Sequence, residues 1–296
     1  MSPMWILKYS FLLLFVKASV YANTNAFTSP SCFSMGGAGS LSLSVNTPIR
    51  NPAVFNHSRS LTTSIVKYPA LINSQSVNIN LPMGNMAFSS SLKYLSYGIF
   101  NGYNEEGEDN GTYRSYETWI DGYMSKKIEF RPIFIGSRIS LKSSNFYTHN
   151  IKALSGSFGL IRYFKDENSA IGLSINQIEF KYSNHKFSKS APSFTLSGSK
   201  KLKYLPAIGY VDFLYEKNRA EVFMGICFIY LENIKVQAGS STRKFSQNTS
   251  QSLSRTILGA SGFGFSYNKN QILVQYGFYY YGVGIRVDGL NIGIKF

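Results

Sequence analysis

Hydrophobic and polar residues alternate at the end of the chain, where Leu290, Ile292, Ile294 and Phe296 fall on one side and Asn291, Gly293 and Lys295 on the other. Successive side chains of a strand point to opposite faces, so the pattern predicts a strand with one apolar face. Just before it, Ile272, Val274, Tyr276, Phe278 and Tyr280 share a face, and Asn268-Lys269-Asn270 supplies the preceding turn. Val222, Met224, Ile226, Phe228 and Tyr230 repeat the rhythm, as do Ile171, Leu173 and Ile175 after the polar Lys165-Asp166-Glu167-Asn168. Further candidate strands cover 61–72, 74–82, 84–101, 113–127, 129–143, 150–164, 192–203, 206–217 and 253–267, and no stretch sustains a helical period. Pro69, Pro82, Pro132, Pro192 and Pro206 fall near segment ends or bends, where a missing backbone donor does least harm. Residues 101–112 and 238–252 read as long loops, and 84–101 is long enough to bend into two strands. The expected fold is all-β: a transmembrane antiparallel β-barrel of about 14 strands, within a range of roughly 12–14, since bacterial barrels favour even counts.

Composition sharpens this expectation. Charged residues make up only 15% of the 296 and aromatics 16%, against about 25% charged in ordinary chains. A membrane barrel needs an apolar outer band and aromatic girdles without any long apolar run, which accounts for both departures. The first 22 residues read as a secretory leader, with Lys8, an apolar stretch over 9–16, and Val20-Tyr21-Ala22 as the cleavage site. An uncleaved helical anchor is the alternative, but the apolar run is far short of the roughly 20 residues a spanning helix requires. The division that follows is a signal peptide over 1–22, an N-terminal plug-like segment over 23–60 and an outer-membrane barrel over 61–296. Gly36-Gly37-Ala38-Gly39 and Pro48-Ile49-Arg50-Asn51-Pro52-Ala53 set the middle segment apart. Its irregular, small-residue backbone belongs in the barrel mouth or lumen, because at membrane depth such backbone must be enclosed by protein.

Candidate chemistry is sparse. His57, His149 and His185 are not spaced with other ligands for a metal, and no nucleophile-elbow motif accompanies the many serines, so the chain reads as a non-enzyme without cofactor or metal. The run Gly36-Gly37-Ala38-Gly39 lacks the Lys-Ser or Lys-Thr that would close a phosphate loop. Glu105, Glu106, Glu108 and Asp109 do not match a calcium-loop spacing and read as a solvated hairpin loop. Cys32 and Cys227 allow one bridge or two unpaired thiols, and nothing in the sequence supports the bridge. The net charge of +15 is spread singly along the chain. That distribution points to acidic outer-membrane lipid and lipopolysaccharide as partners and not to nucleic acid.

Several segments carry a resemblance. Ser34-Met35-Gly36-Gly37-Ala38-Gly39 followed by Asn51-Pro52-Ala53, then Lys93-Tyr94-Leu95-Ser96-Tyr97-Gly98-Ile99-Phe100, then Gly136 with Leu141-Lys142-Ser143 run along most of the mature chain. With Ser197-Gly198-Ser199-Lys200-Lys201-Leu202-Lys203-Tyr204-Leu205-Pro206, they resemble the PorV/PorQ family of outer-membrane proteins, similar in architecture to FadL-type barrels. At Val54 the chain has valine where the family usually has glycine, and acidic residues before Asn51 are missing. The resemblance implies a component of type IX protein secretion and cell-surface attachment in the bacterial outer membrane, with translocon subunits and cargo carrying C-terminal secretion domains as partners. It also implies structural motif residues at Gly36, Gly37, Gly39, Asn51, Pro52 and Ala53, while Leu290, Ile292, Ile294 and Phe296 read as a terminal-strand assembly signal. A FadL-like transporter of hydrophobic small molecules is the alternative. The polar inward positions expected at Gln275, Asn291, Gly293 and Lys295 weigh toward the secretion component.

Overall fold

The structure, a computed structural model, describes residues 29–42, 51–103, 107–129, 131–147, 149–164, 169–183, 186–217, 219–246, 258–281 and 285–296. The leader expected over 1–22 lies outside these residues. A short helix, α1 (Pro30–Ser34), precedes strands β1 (Ser60–Lys67), β2 (Asn73–Met83), β3 (Met86–Tyr103), β4 (Asp109–Lys127), β5 (Ile133–Phe146), β6 (His149–Tyr163) and β7 (Ala170–Ser183). They are followed by β8 (Lys186–Ser190), β9 (Ser193–Lys201), β10 (Ala207–Glu216), β11 (Arg219–Leu231), β12 (Ile234–Ser241), β13 (Ser261–Lys269), β14 (Ile272–Tyr280) and β15 (Arg286–Lys295). No described helix is long and apolar enough to cross a membrane.

All pairings are antiparallel. The sheet closes because β15 pairs with β1 from Leu61↔Ile294 to Ile65↔Leu290 and beyond. Strand β7 pairs with β6 on one side, and on the other with β8 over 179–183 and with β9 over 170–176. Thus β8 and β9 are two lengths of one staff, interrupted at Ala191-Pro192, and the barrel has 14 staves. Proline has no N–H to give the ladder, so the break falls where a donor is missing.

Register explains the alternation. Val77, Leu92, Ile120, Leu141, Leu154 and Phe180 lie opposite one another in turn across β2 to β7, and all are exposed. Ile65, Leu290, Tyr276, Phe265, Val236 and Phe228 form the matching outer row across β1 and β15 to β11. The positions between them point inward and are mostly small and polar, with Ser64, Ser74, Ser76, Ser91, Ser125, Ser140, Ser157 and Ser197 all buried. An apolar outer belt around a polar interior is the arrangement lipid selects. Short turns at one end use residues that tolerate positive φ, such as Gly84 (58°) and Asn270 (55°).

Two expectations change. The segment 84–101 does not bend into two strands; it is the single long β3, which runs to Tyr103 opposite β4 with register shifts at Ser96/Gly98 and Asn101/Tyr103. The strand that restores the even count is β12, part of which falls in the stretch 238–252 expected as a loop. Its outward residues Val236, Ala238 and Ser240 are too weakly apolar to mark a lipid-facing strand, and pairing with β11 and β13 recruits them.

Replacing the outward Leu141 by Arg should destabilise the folded barrel by about 2–4 kcal/mol, while Leu141→Ala costs much less. Denaturant unfolding in lipid vesicles measures both, and equal midpoints for the two variants would place this face out of the bilayer.

Candidate functional site

The site is the barrel interior and the N-terminal segment held within it. Helix α1 and the residues after it rest on glycines that face inward. Gly225, Gly239 and Gly262 stand opposite one another on β11, β12 and β13, and Gly264, Gly277 and Gly289 do so on β13, β14 and β15. A Cβ on Gly262 would lie 1.5 Å from the Phe33 carbonyl oxygen, one on Gly239 2.1 Å from that of Met35, and one on Gly277 2.2 Å from that of Pro30. Only glycine lets the segment's backbone approach the wall this closely.

A second seat receives Asn51-Pro52-Ala53. Gly136 and Gly159 are direct partners on β5 and β6, with Gly172 nearby on β7. A Cβ would meet the Pro52 carbonyl oxygen at 2.2 Å from Gly136 and the Asn51 Oδ1 at 1.9 Å from Gly159. Across this gap the Asn51 amide donates to the carbonyls of Leu160 (3.1 Å) and Leu173 (2.9 Å), which belong to β6 and β7. Its Oδ1 accepts the Ala53 N–H at 3.0 Å. Further on, Asn80 of β2 donates to the Asn56 and Ser58 carbonyls.

Between the seats, Asp212 of β10 holds the glycine turn. Its Oδ2 accepts the N–H groups of Gly39 (2.6 Å) and Ser40 (3.0 Å), and its Oδ1 accepts from the Ser40 hydroxyl, which also bonds Ser197 of β9. Gly36, Gly37 and Gly39 all have positive φ, at 61°, 95° and 91°, so the turn presents successive N–H groups in a conformation open to glycine. The Ser34 hydroxyl donates to Gln237 of β12.

Apolar side chains of the segment fill three patches of wall. Phe33 meets Val66, Tyr279 and Val287; Met35 and Ala38 meet Ile208, Tyr210, Leu214 and Phe223; Leu41, Ala53 and Phe55 meet Phe134, Ile161 and Tyr163. Tyr68, edge-on to Phe33, is half-buried, and desolvation by its surroundings pushes its phenol well above its ordinary range.

The rest of the described lumen on β3 to β7 is charged. Arg138 forms two hydrogen bonds with Asp121 Oδ1, at 2.8 and 3.2 Å. Lys142 lies 2.8 Å from Glu117, and Lys181 lies 2.8 Å from Glu179. Glu117 also accepts from the Ser144 and Tyr97 hydroxyls. In one register row, Lys93, Trp119 and Lys142 stand side by side on β3, β4 and β5.

The positions singled out in the sequence are thus distributed. Gly36, Gly37, Gly39, Asn51, Pro52 and Ala53 line the contact between segment and wall. Leu290, Ile292 and Ile294 face outward on β15, and the exposed Phe296 follows, its N–H donating to the Arg59 carbonyl. Asn291 is buried inward, where it accepts from Ser64 and donates to Gln275. Cys32 and Cys227 are both buried and do not form a disulfide. His185, Glu105 and Glu106 lie outside the described residues, and among the described residues no cluster could hold a metal. The wall glycines, Asp212 and the charged group were not recognised from sequence. A signal existed for the glycines, since a glycine repeated on the inward positions of strands marks close backbone approach.

The fold is thus a closed 14-stranded antiparallel barrel that carries its own N-terminal segment in the lumen. No family model matches the chain, and no curated protein matches it in sequence. Among solved structures, the toluene transporter TodX of Pseudomonas putida is similar over 91% of this chain and 96% of its own, with a TM-score of 0.57 and 11% identity. The toluene transporter TbuX of Ralstonia pickettii is similar over 92% of this chain and 98% of its own, with a TM-score of 0.56 and 10% identity. At these identities the likeness is one of fold, and these neighbours are transporters and not enzymes.

Two substitutions probe the seat. Gly262→Leu should unseat α1 and raise the planar-bilayer conductance several-fold without unfolding the barrel, whereas Gly198→Ala, with open space around it, should change neither. Asp212→Ala should weaken docking of the segment by roughly 1.5–3 kcal/mol for each charge-assisted bond lost. Limited proteolysis reads this as faster cleavage within the segment, and an unchanged rate would deny Asp212 its tethering role.

Proposed function

We propose that the protein is a FadL-like outer-membrane transporter of hydrophobic small molecules, with the N-terminal segment as its plug. The observation that carries this reading is the seating of that segment inside a barrel whose fold, over nearly its whole length, is that of the toluene transporters TodX and TbuX. The plug is bound by few, specific polar contacts and covers apolar wall. When it shifts, Tyr210, Leu214, Phe223, Phe134 and Ile161 lose their cover and offer a discontinuous apolar track past the serine-rich surface. The outward Leu290, Ile292, Ile294 and Phe296 supply the assembly signal, and outer-membrane lipid and lipopolysaccharide surround the apolar belt.

A strain lacking the protein should take up radiolabelled toluene more slowly at low external concentration, and Gly262→Leu should alter the rate in the complemented strain. Equal uptake with and without the protein would sink this reading.

Type IX secretion remains a second reading, supported by the sequence resemblance and by one surface feature. The turn after β9 exposes Tyr204 and Leu205 beside Lys200, Lys201 and Lys203, an apolar and basic knob suited to a protein partner. A pull-down of the tagged protein from detergent-solubilised outer membranes, read by mass spectrometry, should recover translocon subunits or cargo with C-terminal secretion domains on this reading. A preparation free of them counts against it.

A further inference from the structure

The charged group in the lumen leaves one cation over. Lys93, Arg138, Lys142 and Lys181 face Glu117, Asp121 and Glu179, and every carboxylate of the set is already engaged by another cation. Arg138 and the Ser91 hydroxyl take Asp121; Lys142, Ser144 and Tyr97 take Glu117. Among the described residues, no carboxylate lies within ion-pair distance of the Lys93 ammonium. Glu117 and Asp121 act on it only through space, and the ammonium lies over the face of Trp119, whose ring centroid is 4.3 Å away. Lys93 is only 7% exposed and Trp119 6%, so neither is a surface side chain free to find its partner in bulk water. A buried ammonium without an anion is costly, and a ring face offsets only a fraction of that cost.

We propose that Lys93 anchors a binding site in the lumen for a compact, hydrophilic carboxylate. The set holds one cation more than carboxylates, and a monoanion balances it. The surroundings call for a small, polar one, because Ser91, Ser140, Ser144 and Lys142 occupy inward positions of the same and the neighbouring register rows. Trp119 is the register partner of Lys93, and its ring lies beneath the ammonium, where it reports on what binds there. The inference goes beyond transport of hydrophobic molecules and concerns a different part of the lumen, so the two readings fail independently.

The chain has 2 tryptophans, Trp5 in the expected leader and Trp119, so Trp5→Phe makes Trp119 the sole emitter whether or not the leader is removed. Sodium lactate titrated into this protein in detergent, with ionic strength held constant, should change the Trp119 emission saturably, and sodium chloride should not. Lys93→Met should abolish the response, and Lys93→Arg should keep it with a shifted midpoint, since the charge-assisted bond survives. Heat-modifiable gel mobility verifies that each variant folds, and if Lys93→Met does not, Lys93→Gln takes its place. A flat titration, an equal response to chloride, or an unchanged response without the lysine charge would each overturn the proposal, whatever the outcome of the toluene assay.

Discussion

Everything in this molecule depends on the requirement that no backbone N–H or C=O be left unpaired at membrane depth, where water is absent and each orphan costs several kcal/mol. A sheet meets the requirement only by closing on itself, and here closure is made by β1 and β15, the first and last strands described. Once the ladder is complete, side chains have two destinations only. Outward positions face hydrocarbon and favour Leu, Ile, Val and aromatics; inward positions face a confined lumen and favour serine. Period-two alternation in the sequence is therefore the imprint of a backbone constraint, which is why it persists through 14 staves with little identity to other barrels.

The lumen is the place where this rule is relaxed. A segment with only the short helix α1 as described regular structure enters it, and its own backbone groups need partners there. Part of the answer is local, in the turns around α1 and Asn51. The rest comes from the wall: Asp212 takes two N–H groups, Asn51 reaches two strand carbonyls, and nine inward glycines remove the side chains that would hold the segment away. Glycine weakens a strand in isolation, so its use at these positions trades wall stability for fit with the plug.

The two halves of the lumen differ in kind. The side formed by β10 to β15 and β1, and the short-turn end of β5 to β7, are matched to the segment by shape, whereas the rest of the inner face of β3 to β7 is organised by charge. Ion pairs within a confined lumen offset part of the desolvation of their members, and Lys93, which has no direct pair, is the member of this set with the least such compensation.

By itself the sequence determined the strand rhythm, the lipid-facing rows and the small-residue character of the N-terminal segment, because each follows from local preferences with a fixed period. Even there, β12 escaped notice, since its outward Val236, Ala238 and Ser240 carry too little apolar contrast. Asn51 and the turn at Gly36 to Gly39 were legible as unusual residues but not as contacts. What only the tertiary structure decided is which residues meet: that Gly159 stands under Asn51, that Asp212 reaches Gly39 from 173 positions away, and that Trp119 lies between Lys93 and Lys142. These depend on the register of neighbouring strands and on the closure of the sheet, and register is a relation between distant segments that no local pattern encodes.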